Sequence, residues 1–116
     1  MKWTCVFYVS DSGRNPVKEF MDSLSERTQQ KFIAVTTMLE ALGKNLKEPH
    51  TKPLGNGIHE LRFFGQEGHI RILHFFYDDN KIIFTNGFTK KTNKMPKKEI
   101  ELAQERRKAY LGRKNK

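Results

Sequence analysis

The chain has 116 residues and a mass of 13.6 kDa, with 22 Lys+Arg against 13 Asp+Glu, a formal net charge of +9 and a pI near 9.8. A chain of this length buries roughly two-thirds of the surface it exposes when unfolded, so one domain spanning residues 1–116 can fold without disulfide or metal. The lone Cys5 excludes an intramolecular disulfide, no Cys/His set has zinc spacing, and 36% hydrophobic content with nine phenylalanines excludes a disordered chain, so a reducing cytoplasm is the expected setting.

Residues 2–9 alternate loosely and are rich in Trp, Val, Phe and Tyr, which predicts a first strand. Thr4 and Ser10 break its apolar run and Asp11 follows, so it reads neither as a signal peptide nor as a membrane anchor. Asn15 is a good N-cap and Pro16 suits a first turn; Val17, Phe20, Met21 and Leu24 then share one helical face. Ser25 can cap a second helix with Phe32, Val35, Leu39 and Leu42 on one face, ended by Gly43. Residues 44–57, with two prolines, two glycines and two asparagines, read as a connector rather than an element. An antiparallel meander of strands over 58–64, 69–77 and 81–88 follows, with turns at 65–68 and 78–80. Pro96 opens a last helix over 97–111, with Ile100, Ala103 and Leu111 inward, a basic tail beyond, and Met95 as a poor cap. The expected fold class is α+β: a largely antiparallel sheet with a helical hairpin and a C-terminal helix, the helices packed on one face.

Charge is unevenly placed: residues 1–60 carry 8 Lys+Arg and 7 Asp+Glu, while residues 61–116 carry 14 and 6. A basic half favours a polyanionic partner, and phosphate backbones are the most abundant; a surface kept soluble by lysine has the same composition. If 65–68 forms the hairpin loop, Phe64 pairs with His69 and Arg62 lies across from Arg71. Glu60 is then on the arginine face, and His59 lies across from His74 on the other. Two facing arginines repel. Either they splay into water or pair with Glu60, or their forks converge on a phosphate.

The helix-facing side of this hairpin should bear His59, Leu61, Phe63, Ile70, Ile72 and Phe76, which leaves Arg62 and Arg71 on an open face with Phe64, Phe75 and Tyr77. Cations for the backbone and rings for the bases are what single-stranded nucleic acid requires, although Phe75 better suits a place under the C-terminal helix. His59 and His74 are the makings of an acid–base pair, but on the apolar face they read as hydrogen-bonded core histidines. Residues 87–98 hold Lys90, Lys91, Lys94, Lys97 and Lys98 and no acid. Whether Lys90 or Lys91 reaches the arginine face turns on whether the 78–80 turn has two or three loop residues.

Leu54-Gly55-Asn56-Gly57-Ile58-His59-Glu60-Leu61-Arg62, then Arg71-Ile72-Leu73, then Gly87-Phe88-Thr89-Lys90-Lys91 leading to Pro96 and Glu99-Ile100-Glu101-Leu102-Ala103, form an ordered set covering most of the chain. This set resembles the RelE/ParE superfamily of bacterial toxins, and within it the HigB-like, phage-derived branch. Met95 departs from the threonine of that pattern, which touches only the helix cap. The resemblance implies the toxin of a type II toxin–antitoxin system: a ribosome-dependent endoribonuclease, or mRNA interferase, neutralised by a helix-turn-helix antitoxin. It also implies a sheet with helices on one side and basic catalytic residues on the other. The superfamily includes ParE-like toxins that inhibit DNA gyrase and cut nothing, so that alternative and a plain basic nucleic-acid-binding module stay open.

The expected chemistry is metal-free and needs no cofactor: the ribose 2′-OH attacks its own 3′-phosphate, leaving a 2′,3′-cyclic phosphate and a 5′-OH. Arg62 and Arg71 would stabilise charge developing on the phosphate. Lys90 or Lys91, crowded by other cations, would act as base. The acid for the leaving oxygen is left open between a second lysine and the ribosome itself, and no Asp/Glu cluster is placed to hold magnesium. Lys52, Phe64, Tyr77, Lys94, Lys97 and Lys98 are the expected RNA contacts. Arg71, with no expected core role, should be replaceable by Ala within a few tenths of a kcal/mol of stability while cleavage collapses.

Overall fold

The computed structural model describes residues 2–78 and 80–114; Asp79 of the second turn and Asn115 and Lys116 of the basic tail lie outside the described residues. In chain order the elements are β1 (Thr4–Phe7), α1 (Pro16–Asp22), α2 (Glu26–Leu42), a 3₁₀ turn (Gly43–Asn45), β2 (Thr51–Gly55), β3 (Ile58–Gly65), β4 (Gly68–Tyr77), β5 (Lys81–Lys90) and α3 (Lys97–Lys114). The caps act as the sequence predicts: Asn15 Oδ1 accepts from the Lys18 N–H and Ser25 Oγ from the Thr28 N–H. Gly43 ends α2 at φ 53°, where a side chain would also run into the Trp3 indole. Leu42 departs from expectation. It is 47% exposed, and Leu46 beyond the turn joins the core instead.

The five strands form one sheet in the order β1-β5-β4-β3-β2, with β1 parallel to β5 and every other pair antiparallel. Strand β2 lies inside the expected 44–57 connector, which is corrected accordingly. Asn56 and Gly57, at φ 53° and 82°, supply the left-handed pair that a tight hairpin needs, and Pro53 is tolerated because β2 is an edge strand. The β3–β4 register is the expected one, with Phe64 on His69, Arg62 on Arg71 and His59 on His74. Tyr77 pairs with Lys81, so the second turn has three residues.

Both faces of the central strands are apolar, and this decides where the last helix goes. Leu61, Ile70, Ile72, Ile82 and Phe84 pack under α1 and α2. Gly87 permits that approach, since a Cβ there would sit 2.7 Å from both Ile72 Cδ1 and Phe20 Cδ2. Ile58, Leu73, Phe75 and Ile83 form a second cluster on the other face, capped by Ala103 with Tyr110 and Leu111 packed against it. Each such side chain taken fully out of water contributes about 1.5–3 kcal/mol, so α3 covers this second patch. The expectation of all helices on one face is therefore corrected.

Candidate active site

Residues in register share a face, and i and i+2 along a strand do too. On the α3 side of the sheet one row runs Arg62, Arg71, Phe88 across β3, β4 and β5, and the next runs Phe64, His69, Lys90. A third row, Glu60, Leu73, Asn86, adjoins α3, where Asn86 Nδ2 donates to Glu99 Oε1 at 2.9 Å and to Glu99 O at 3.2 Å.

The position of Lys90 depends on one extra residue. Between the His74–Phe84 and Leu73–Asn86 pairs, Thr85 has no partner of its own, a β-bulge. Strict alternation from the Tyr77–Lys81 pair would have turned Lys90 toward α1 and α2. Thr85 is fully buried; its hydroxyl donates to Leu73 O at 3.1 Å, and Arg106 of α3 donates to its carbonyl at 2.9 Å. Lys91 lies one residue past β5 and is exposed. Turn length alone, the criterion available from sequence, could not have separated the two lysines.

The arginines depart from the expected open arrangement. Arg71, on the central strand, is buried at 5% exposure, and the Arg62 side chain is 29% exposed. The carboxylate of Glu60, 2% exposed, stands between them, with Oε1 3.4 Å from Arg62 Nε and Oε2 3.7 Å from Arg71 Nε. Glu48 is a further 3.8 Å partner of Arg62. Pairing with Glu60, one of the two readings the register allowed, is thus what resolves the like-charge contact. Burial lowers the Arg71 pKa, with Glu60 opposing that shift and Arg62 adding to it. Arg71 donates to Ile70 O at 3.2 Å, but neither arginine's Nε has a hydrogen-bond acceptor among the described residues. Both Nε atoms are buried against Glu60, but a guanidinium offers five N–H donors and the Nη groups make no hydrogen bond among the described residues other than that of Arg71 to Ile70 O, so Nη donors are left for an anion.

A cleft of about 470 Å³ opens in front of them, lined by Arg62, Arg71, Phe64 and His69 and, from α2 and the loop before β2, by Lys31 and His50. Lys31 Nζ donates to Phe64 O at 2.7 Å, and the Arg62 N–H donates to His50 O at 2.8 Å. Of the expected RNA contacts, Phe64 is here and 58% exposed. Lys52 is exposed on β2, paired with Glu60; Lys94, Lys97 and Lys98 are exposed in the loop and first turn leading into α3. Tyr77 is elsewhere. It lies six residues along β4 from Arg71, about 20 Å away, with its ring edge-on to Tyr110 at 5.2 Å. Phe75 likewise packs under α3, 1% exposed.

His59 and His74 stack at 5.8 Å on the α1–α2 side. Burial, followed by the nearby His59, pushes the His74 pKa down to about 3; burial also lowers that of His59, helped by Lys44 and Lys47. His69 and His50 are the cleft histidines that sequence reasoning passed over. The hairpin register already put His69 beside Phe64; His50 carried no signal, because it precedes a strand read as a connector. The Cys5 thiol, pushed up to about 12 by burial and by Glu40, is no ready nucleophile. Among the described residues, no three His, Cys, Asp or Glu side chains gather as metal ligands would, and no helix is long and apolar enough to cross a membrane.

The family model described as Phage derived protein Gp49-like (DUF891) matches residues 19–108. Two relatives, each named "Probable endoribonuclease HigB1", come from Mycobacterium tuberculosis strains CDC 1551 / Oshkosh and ATCC 25618 / H37Rv. Each is 31% identical over 104 residues, covering 90% of this chain and 81% of the relative.

Proposed function

Since the chain belongs to the phage-derived Gp49-like family of HigB-like toxins, we propose that it is the toxin of a type II toxin–antitoxin pair and an endoribonuclease that cuts messenger RNA on the ribosome. The observation that carries this reading is the pair of guanidinium forks, held by one buried carboxylate, at the floor of an open cleft. Glu60 fixes both arginines before any ligand arrives, so their remaining donors need little reorganisation as charge builds on a phosphate.

Attack of the 2′-oxygen on phosphorus places extra negative charge on the non-bridging oxygens. Donors aimed there bind the transition state better than the ground state. Arg62 and Arg71 fill this role, with Lys90 on the same face for proton transfer; Lys91 is left to backbone attraction with Lys52, Lys94, Lys97 and Lys98. The exposed ring of Phe64 offers a stacking surface for an unpaired base. A helix-turn-helix antitoxin would neutralise the protein by covering this basic patch or by displacing α3 beside it.

Brief induction followed by primer extension on a translated message tests the reading. Breaks should fall within coding sequence and disappear when initiation is blocked, and radiolabelled methionine incorporation should stop before replication does. Intact message with failing DNA supercoiling would put the gyrase-inhibitor reading in its place.

A further inference from the structure

The two arginines account for charge, but the reaction also needs one proton removed and another delivered. In the strand row next to the arginines two side chains can exchange protons: His69 and Lys90, paired directly across β4 and β5. His69 is exposed at the cleft, one strand position pair from Arg71, and its ring is held edge-on against Phe64 at 4.8 Å. Among the other histidines, His59 and His74 lie on the opposite face, and His50, which also lines the cleft, comes from the loop before β2 at the β3 edge rather than from the row that carries Lys90.

We infer that His69 is the general base and Lys90 the general acid of the proposed cleavage, an inference that rests on the ribonuclease reading. An imidazole is the side chain that most readily offers a free lone pair near neutrality, whereas an alkylammonium is there as a proton donor. His69 takes the proton from the 2′-hydroxyl as the O2′–P bond forms. The P–O5′ bond then breaks with its electron pair going to O5′, and the Lys90 ammonium supplies the proton that completes the 5′-OH. Imidazolium and free amine are left, and exchange with water restores both. This reverses the role expected of a lysine from sequence and places a lysine at the leaving oxygen, where sequence left the acid open between a second lysine and the ribosome.

Two substrates separate the roles. One is a synthetic message with an ordinary phosphodiester at the mapped cut position, and the other carries a 5′-bridging sulfur there, a leaving group that needs no acid. On ribosomes programmed with the ordinary message, His69→Ala and Lys90→Ala should each cut about 100-fold or more slowly than the parent, with unchanged melting temperature for the exposed His69. With the sulfur substrate, Lys90→Ala should recover to within several-fold of the parent while His69→Ala stays slow. Recovery of His69→Ala instead would overturn the assignment by making His69 the acid. Parental cutting of the ordinary message by His69→Ala would remove His69 from the reaction while leaving the ribonuclease reading intact. A parent that cuts neither message would remove that reading and this assignment together.

Discussion

Arg71 illustrates how burial changes the meaning of a residue. From register alone it stands against another cation and should be dispensable to the fold; in three dimensions it is one of two partners of a carboxylate that is 2% exposed. Arg71→Ala leaves Glu60 with Arg62 only, and under-compensated buried charge costs about 1–3 kcal/mol. The denaturation midpoint should fall accordingly, and adding Glu60→Gln should recover part of the loss without restoring cleavage. A single variant as stable as the parent would show that Glu60 is not relying on Arg71. His74 supplies the second residue-scale prediction. Its folded pKa, about 3, lies below its ordinary 6.5, so the unfolded chain takes up a proton that the folded chain refuses. Stability is therefore complete above pH 6.5 and declines as pH falls toward 3, by at most about 1.4 kcal/mol per pH unit. Melting temperature should drop between pH 7 and 4, and His74→Leu should flatten that slope; an unchanged slope would assign it to other groups.

At the scale of elements, α3 covers the second apolar patch and also holds the bulge that brings Lys90 onto the arginine face. Arg106→Ala removes the donor to the Thr85 carbonyl. Leaving that buried acceptor unpaired should cost about 1–3 kcal/mol, and amide exchange should quicken across residues 85–90 of β5, with cleavage falling alongside. Exchange unchanged in β5 would mean that the bulge holds without α3. Tyr77 separates packing from RNA contact. Because its ring meets Tyr110 rather than the cleft, Tyr77→Ala should lower the melting temperature while leaving RNA affinity and cleavage of the folded protein at parental levels. Weakened RNA binding at unchanged stability would return Tyr77 to the site.

For the whole molecule, the field comes from residues 61–116, where 14 Lys+Arg face 6 Asp+Glu. Much of that excess lies on the cleft rows, on the loop after β5 and on α3. A partner that neutralises the protein by covering this surface with acidic residues should lose affinity as salt is raised, and most of the loss should be in the association rate. Calorimetry across a salt series checks this. A salt-independent affinity would point to docking through apolar contacts instead.

The sequence by itself determined every element but β2, the caps of α1 and α2 and one hairpin register, because these rest on local rules: side-chain oxygens at helix starts, period-2 alternation, and a loop bounded by Gly65 and Gly68. It therefore reached Arg62, Arg71 and Glu60 on a common face, and the motif resemblance reached the family. It missed β2, whose Pro53 and polar flanks look like a loop until β3 is there to pair with. For α3 it pointed two ways, expecting all helices on one face yet Phe75 of the arginine face under the C-terminal helix, since a helix pattern carries no mark of which sheet face it will cover. The choice between Lys90 and Lys91 belonged wholly to the tertiary structure. One buried residue, Thr85, held from α3 by Arg106, reverses the alternation of everything after it in β5, and no local preference in the chain encodes a contact made 21 residues away.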